Sequence, residues 1–293
     1  VAQEMDRQRT PELGELARLL AAAPAPVAGY DVIDHANAGS ELVARPEIEK
    51  LEVRWRREFP QLKPHLTATQ HGHMEMWFEA KNWLAFLEHN TSAWQSFDII
   101  DDLVLAVDAL PRMSEVSKPL DALLNRALAL LDIHLAAGAP DNKTLPWAWL
   151  DNRPALRLLA HAAFHAQYAA RQDRFIELAQ RLMSLNPNDN HFMRAPLTRA
   201  YLAEGAAEKV IALTDRFPDD FCGPTLNRLL ALLRLGQRGE ALALLHDCGR
   251  DHGTAIKMLL AADPKAPRSS RDFGVRVGGK EEAWEYRTDH FSL

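Results

Sequence analysis

Apolar positions recur every three or four residues along most of the chain, the spacing of helices with one buried face. Residues 11–23, PELGELARLLAAA, form a short amphipathic run that stops at the Ala/Pro/Gly stretch PAPVAGY. Residues 46–58 read as a charged helix opened by Pro46, with Glu47–Lys50 and Glu52–Arg56 at favourable helical pair spacings. Residues 73–88 (HMEMWFEAKNWLAFLE) and 94–110 (WQSFDIIDDLVLAVDAL) predict a helix pair joined by HNTSA. In the second, Ile99, Ile100, Leu103, Val104, Val107 and Leu110 define a buried face, which leaves Asp101 and Asp102 on a solvated one. Residues 117–136 are apolar on most sides, so neighbours are expected on both flanks. From Arg153 to Leu245 helix-like runs follow one another with short joints. Strand patterns are scarce. The predicted class is all-α.

Helices in pairs invite a search for a period. The joints RQDRFIELA, EGAAEKVIAL and LGQRGEALAL share a register: Gly205 lies five before Val210, Gly236 lies five before Ala241, and Phe175 takes the same slot one unit earlier. The slots at 175, 210 and 241 are 35 and 31 residues apart, and GGKEEAWEY puts Ala283 five after Gly278. Glycine suits the left-handed conformation that ends a helix. A small residue five later lets the second helix approach the first.

At these residues the chain resembles the tetratricopeptide repeat family, helix–turn–helix units that stack into a right-handed superhelix. The likeness puts the family's tyrosine slot at Tyr201, its glycine slots at Gly205 and Gly236, its alanine slot at Ala241 and its closing proline at Pro187. Phe175 is larger than its slot, and Thr198 and Leu229 stand where the family carries a small residue. The resemblance implies an α-α superhelix over 146–293, ending in a capping helix. An N-terminal helix and linker at 1–30 and a divergent helical region at 31–145 precede it. LPWAWLDNRPALR, LNPNDN and GGKEEAWEY also look like bacterial repeat proteins related to the ST-seven tumour-suppressor-like group. No biochemical activity follows from that likeness.

Carried onto this chain, the groove-facing positions of the family are Arg157, Phe164, Gln167, Tyr168, Arg199, Leu202, Leu230 and Arg234. Arginines beside an aromatic suit a ligand with a carboxylate and an apolar anchor. The resemblance therefore implies a non-enzymatic scaffold that binds a protein or peptide in a concave groove. The Lys/Asn set that clamps a C-terminal carboxylate is not reproduced, so chaperone-tail binding is not expected.

Composition narrows the alternatives. The 293 residues are 47 % apolar and 25 % charged, with a net charge of −6 that gives no reason to expect nucleic-acid binding. An RNA-binding repeat protein is the alternative in the same architecture. No apolar run reaches the roughly 20 residues of a membrane span, and VAQEMDRQRT lacks the core of a signal peptide. Cys222 and Cys248 have no redox or zinc spacing and read as small buried residues of a cytoplasmic protein. His71, His73 and Glu75 share no helical face, whereas His161 and His165 do but lack a third ligand. A histidine-based metal enzyme is thus the third option, and no metal or cofactor is expected. Association with a second copy of the chain stays open.

Three further stretches stand out. SLNPNDNHFMR, 184–194, has too few carboxylates for a calcium loop and reads as a hinge in which Asn188 or Asp189 caps the next helix. In LPWAWLDNRPALR, 145–157, Asp151 or Asn152 is the expected cap and Trp147 and Trp149 seal the array. The loop 264–280 carries Lys265, Arg268, Arg271, Arg276 and Lys280 against Asp272 and reads as a basic linker able to meet anions.

Overall fold

Among residues 10–59, 75–110, 114–136, 143–218, 221–267 and 277–290, which the computed structural model describes, thirteen α-helices and one β-hairpin form the regular structure. The chain divides into two compact units, Val1–His191 and Phe192–Leu293. No described helix is long and apolar enough to cross a membrane.

The first unit contains α1 (Thr10–Ala21), β1 (Tyr30–His35), β2 (Gly39–Ala44), α2 (Pro46–Glu58), α3 (Ala80–His89), α4 (Phe97–Asp108), α5 (Ser114–Ala136), α6 (Arg153–Tyr168) and α7 (Gln172–Leu185). Short 3-10 turns at Glu75–Glu79, Thr91–Gln95 and Leu150–Asn152 join some of them. α4 is central and packs on α2, α5 and α6. The six apolar residues read as its buried face, Ile99 through Leu110, are all buried. Ser96 caps it by accepting from the Ile99 amide at 3.2 Å. Beside it, Trp55 and Phe59 from the α2 end meet Trp83 and Phe86 of α3, with Trp77 edge-on to Trp83 at 5.2 Å.

The hairpin departs from the all-α expectation. Its register runs from Tyr30↔Ala44 to His35↔Gly39. The turn is closed by the Ala38 amide donating to the His35 carbonyl, with Asn37 at φ 62° and Gly39 at φ 78°. A side chain on Gly39 would collide with Pro146 and Thr144, whose atoms lie 2.6 Å from the position of its Cβ. Two strands alone are marginal in water. Here helices and loops complete them. The Tyr30 amide donates to His134 Nε2 at 3.0 Å, while His134 Nδ1 donates to the Leu130 carbonyl at 2.6 Å. Along β2, the Ser40 amide donates to the Thr144 carbonyl and the Leu42 amide to Asn152 Oδ1. Asn152 Nδ2 in turn donates to the Ser40 and Pro146 carbonyls. Of the two expected caps of α6, Asp151 or Asn152, Asn152 holds the cap position but makes no cap bond; it is spent on the strand edge. Trp149 stacks on His35 at 4.5 Å, and Trp147 lies against Arg153 and edge-on to His191.

The second unit holds α8 (Arg194–Ala203), α9 (Ala207–Thr214), α10 (Cys222–Arg234), α11 (Arg238–Asp251), α12 (Gly253–Leu260) and α13 (Lys280–His290). α10 packs on α8, α9, α11 and α13. Free Cys222 and Cys248 sit buried in its core with Leu226, Ala255, Ala283 and Tyr286. Burial pushes the Cys222 thiol up, with the Glu282 carboxylate adding to it. Glu282 takes the Cys222 amide on one oxygen and the Gly278 amide on the other, both at 2.6 Å, and so caps the start of α10.

The joints repeat their geometry as well as their spacing. After α6, α8 and α10 the chain turns through Ala170, Gly205 and Gly236 at φ 55°, 75° and 74°. Each time the residue after the turn donates back to a carbonyl five earlier: Arg171 to Ala166, Ala206 to Tyr201, Gln237 to Leu232. The turn residue itself donates three back, to Gln167, Leu202 and Leu233. This double closure is a Schellman end. The slots five residues on, Phe175, Val210 and Ala241, are all buried, as is Ala283. In the 184–194 stretch α7 ends at Leu185, Asp189 and Phe192 adopt positive φ, and Met193, whose side chain makes no cap bond, holds the cap position of α8.

Candidate functional site

The eight groove positions read from the sequence fall into both units. Arg157 on α6 points at Asp101 of α4, with its Nε and Nη2 at 2.7 and 2.6 Å from Oδ2. It holds two helices together. Phe164 and Tyr168 of the same helix, with His161 and His165, line a depression of about 40 Å³ against Asp108, Leu120 and Leu124. Gln167 is half-buried next to Tyr168, which is exposed. His165 Nε2 lies 3.1 Å from Asp121, which also takes Arg171, so the two histidines face different acids. In the second unit Arg199 and Leu230 are half-buried. Leu202 is 1 % exposed and belongs to the core, a correction to its reading as a contact residue. Arg234 donates to the Leu202 carbonyl, bridging the ends of α10 and α8.

His71, His73 and residues 268–276 of the basic loop lie outside the described residues. Among those described, no three His, Cys, Asp or Glu side chains are grouped as metal ligands.

A cleft of about 300 Å³ in the first unit was not anticipated. Helical spacing builds one wall: Glu49, Glu52, Val53 and Arg56 share a face of α2. Val43 of β2, Asp98 of the first turn of α4, Asp151 and Pro154 complete it, with Tyr30 lining it as well. Four carboxylates thus face one guanidinium. Glu52 is 5 % exposed, and its Oε1 accepts from the Tyr30 hydroxyl at 2.6 Å and from Ser96 Oγ at 2.7 Å. The Tyr30 oxygen accepts the Phe97 amide at 2.9 Å, so strand, α2 and the start of α4 meet in one network. Burial raises the Glu52 carboxyl, and the two hydroxyl donors oppose this. Burial also raises Asp151, with Glu41 and Asp98 adding repulsion. Arg56, read as the helical partner of Glu52, instead pairs with Asp98 at 3.1 Å.

Asp101 and Asp102 are not on a solvated face. Asp101 is 2 % exposed, and burial pushes its carboxyl up to about 6 against the pull of Arg157. Asp102 accepts from Trp55 Nε1 at 2.8 Å; burial, joined by the Asp101 charge, pushes it up to about 7. A carboxyl raised on folding keeps a proton that the unfolded chain has released, so stability falls as pH rises from about 4 to 7. Burial lowers His134, His161 and His191, which act in the opposite sense near pH 4–6.5. A variant isolates the acid. Asp102→Asn should gain stability over the parent by about 1–3 kcal/mol more at pH 8 than at pH 5. Equal gains at both pH values in urea denaturation would show that Asp102 ionises normally.

In comparisons with protein-family models, with curated proteins and with solved structures, none matches the chain.

Proposed function

We propose that the chain is a non-enzymatic scaffold of helix pairs, in the manner of tetratricopeptide repeats, that binds a protein or peptide. The thrice-repeated Schellman joint at spacings of 35 and 31 residues supports the family likeness. The observation that carries the binding reading is on the α10–α11 hairpin. Leu233, Leu235, Leu242 and Leu245 are 51, 36, 67 and 40 % exposed. Leu242 and Leu245 lie one turn apart on α11, whose fully buried residues are Ala241 and Cys248. Single exposed leucines are ordinary, but several on one hairpin mark a contact surface. Arg238 stands exposed at the start of the same helix, with no side-chain partner among the described residues. A segment with apolar anchors and an acidic flank fits this face better than a basic one.

The test is a double variant, Leu242→Glu with Leu245→Glu. Because both sites are exposed, stability should stay within about 0.5 kcal/mol per site. A protein retained in stoichiometric amount by the immobilised parent chain and lost on the variant supports the reading. Equal retention by both, or none by either, overturns it.

A further inference from the structure

The β-hairpin of the first unit has two outer edges, and the two are finished differently. Along an antiparallel pair, alternate residues turn their amides and carbonyls toward the partner strand and away from it. The Arg45 amide donates across to the Gly29 carbonyl, whereas the Tyr30 amide points outward to His134. The register then turns Ser40 and Leu42 outward from β2, and Val32 and Asp34 outward from β1. Thr144 and Asn152 take up the outward amides of Ser40 and Leu42. No described residue hydrogen-bonds to the outward backbone groups of Val32 or Asp34. Between them Ile33 is 43 % exposed, and Asp31 and Asp34 are exposed as well. An open edge beside an exposed β-branched side chain is a template for another strand.

We infer that β1 pairs with β1 of a second copy of this chain, antiparallel about a twofold axis, so that two hairpins join into one four-stranded sheet. The side chains and the open backbone groups select the register. Centring the axis on Val32 would pair Asp34 with Tyr30, whose amide is already given to His134. Centring it on Asp34 would set two carboxylates directly opposite each other. Centring it on Ile33 pairs Val32 with Asp34 on both sides of the axis, and the open amides and carbonyls of both copies satisfy one another. Ile33 then faces Ile33 at the closest cross-strand spacing, about 4.5 Å between Cα atoms, and each covers the other. On the same face, Asp31 stands opposite His35 of the second copy, a carboxylate against an imidazole, and no two aspartates are opposed. His35 is held in place within its own chain by Trp149, stacked at 4.5 Å, and by Glu41 at 3.0 Å.

Sedimentation velocity of the full chain at roughly 1–500 µM tests this, a range suited to the modest affinity of a small interface. The parent should pass from monomer to dimer across it. Ile33→Lys brings two like charges together at the axis and should weaken the dimer about tenfold or more. The position is exposed, so the monomer should keep its fold, which circular dichroism checks. Cysteine variants read the register independently. In air, Ile33→Cys should give a disulfide-linked dimer. Asp31→Cys should not, because the two copies of that residue lie about 13 Å apart along the strands, beyond disulfide reach. Cys222 and Cys248 are buried and give no background. If Ile33→Lys fails to fold, the cysteine variants decide alone. A parent chain that stays monomeric leaves this edge to some other strand and overturns the inference. So does a dimer that Ile33→Lys leaves intact, or one that cross-links no better through Ile33→Cys than through Asp31→Cys.

Discussion

Asn152→Ala should cost about 3–5 kcal/mol, since it leaves one amide and one carbonyl unpaired in buried surroundings. The Leu42 amide loses its acceptor and the Ser40 carbonyl its donor, whereas the Pro146 carbonyl keeps the Trp149 amide. Asn152 itself is wholly buried, as are its bonds to Leu42 and Ser40, so solvent does not take these two over. Asn152→Asp separates this role from helix capping. Aspartate caps as well as asparagine, and would restore stability if the side chain served α6. In the strand-edge role it keeps the Leu42 bond but turns a carboxylate on two carbonyls, and should be no better than alanine. Thermal unfolding by circular dichroism reads both; an aspartate variant close to the parent would return Asn152 to the cap.

Trp83→Ala should cost a similar amount, about 3–5 kcal/mol, by opening a cavity that neighbours cannot fill. The ring is fully buried and meets Trp55, Phe59 and Trp77 at centroid distances of 6.4, 5.8 and 5.2 Å. Its Nε1 donates to the Met76 carbonyl at 3.0 Å. Because Trp55 sits on the same helix as Glu49, Glu52 and Arg56, losing this cluster should also loosen the cleft wall. Trp83→Phe keeps most of the area and loses the donor, and should cost less than half as much. Denaturant unfolding distinguishes the two; equal losses would assign the effect to the hydrogen bond rather than to packing.

The helices were legible because a 3.6-residue period is written locally: Ile99 to Leu110 name their own buried face. The joints were legible for the same reason, since a Schellman end needs only its own six residues. The hairpin was not. Val32 and Ile33 alternate over too few positions, and the residues that complete the strands, His134 and Asn152, are more than a hundred positions away. The cleft is hidden in the sequence because charged side chains ordinarily mark exposed positions. Glu52 lies in the apolar register of Ile48 and Trp55, which is the signal that could have found it. Arg157 and Arg234 were read as groove residues because nothing local announces Asp101, 56 positions earlier, or the Leu202 carbonyl, 32 positions earlier.

The bonds between β2 and Asn152 span 110 and 112 residues, whereas each helix joint closes within five. On the ribosome the two kinds of contact are made at different times. At roughly 5–20 residues per second, β2 is exposed for about 5–20 s before Asn152 follows it out. During that interval the strand edge is open to pairing with another nascent chain. Nascent chains stalled before Asn152 should therefore be the species that needs a chaperone, while each helix joint can close as soon as its own residues emerge.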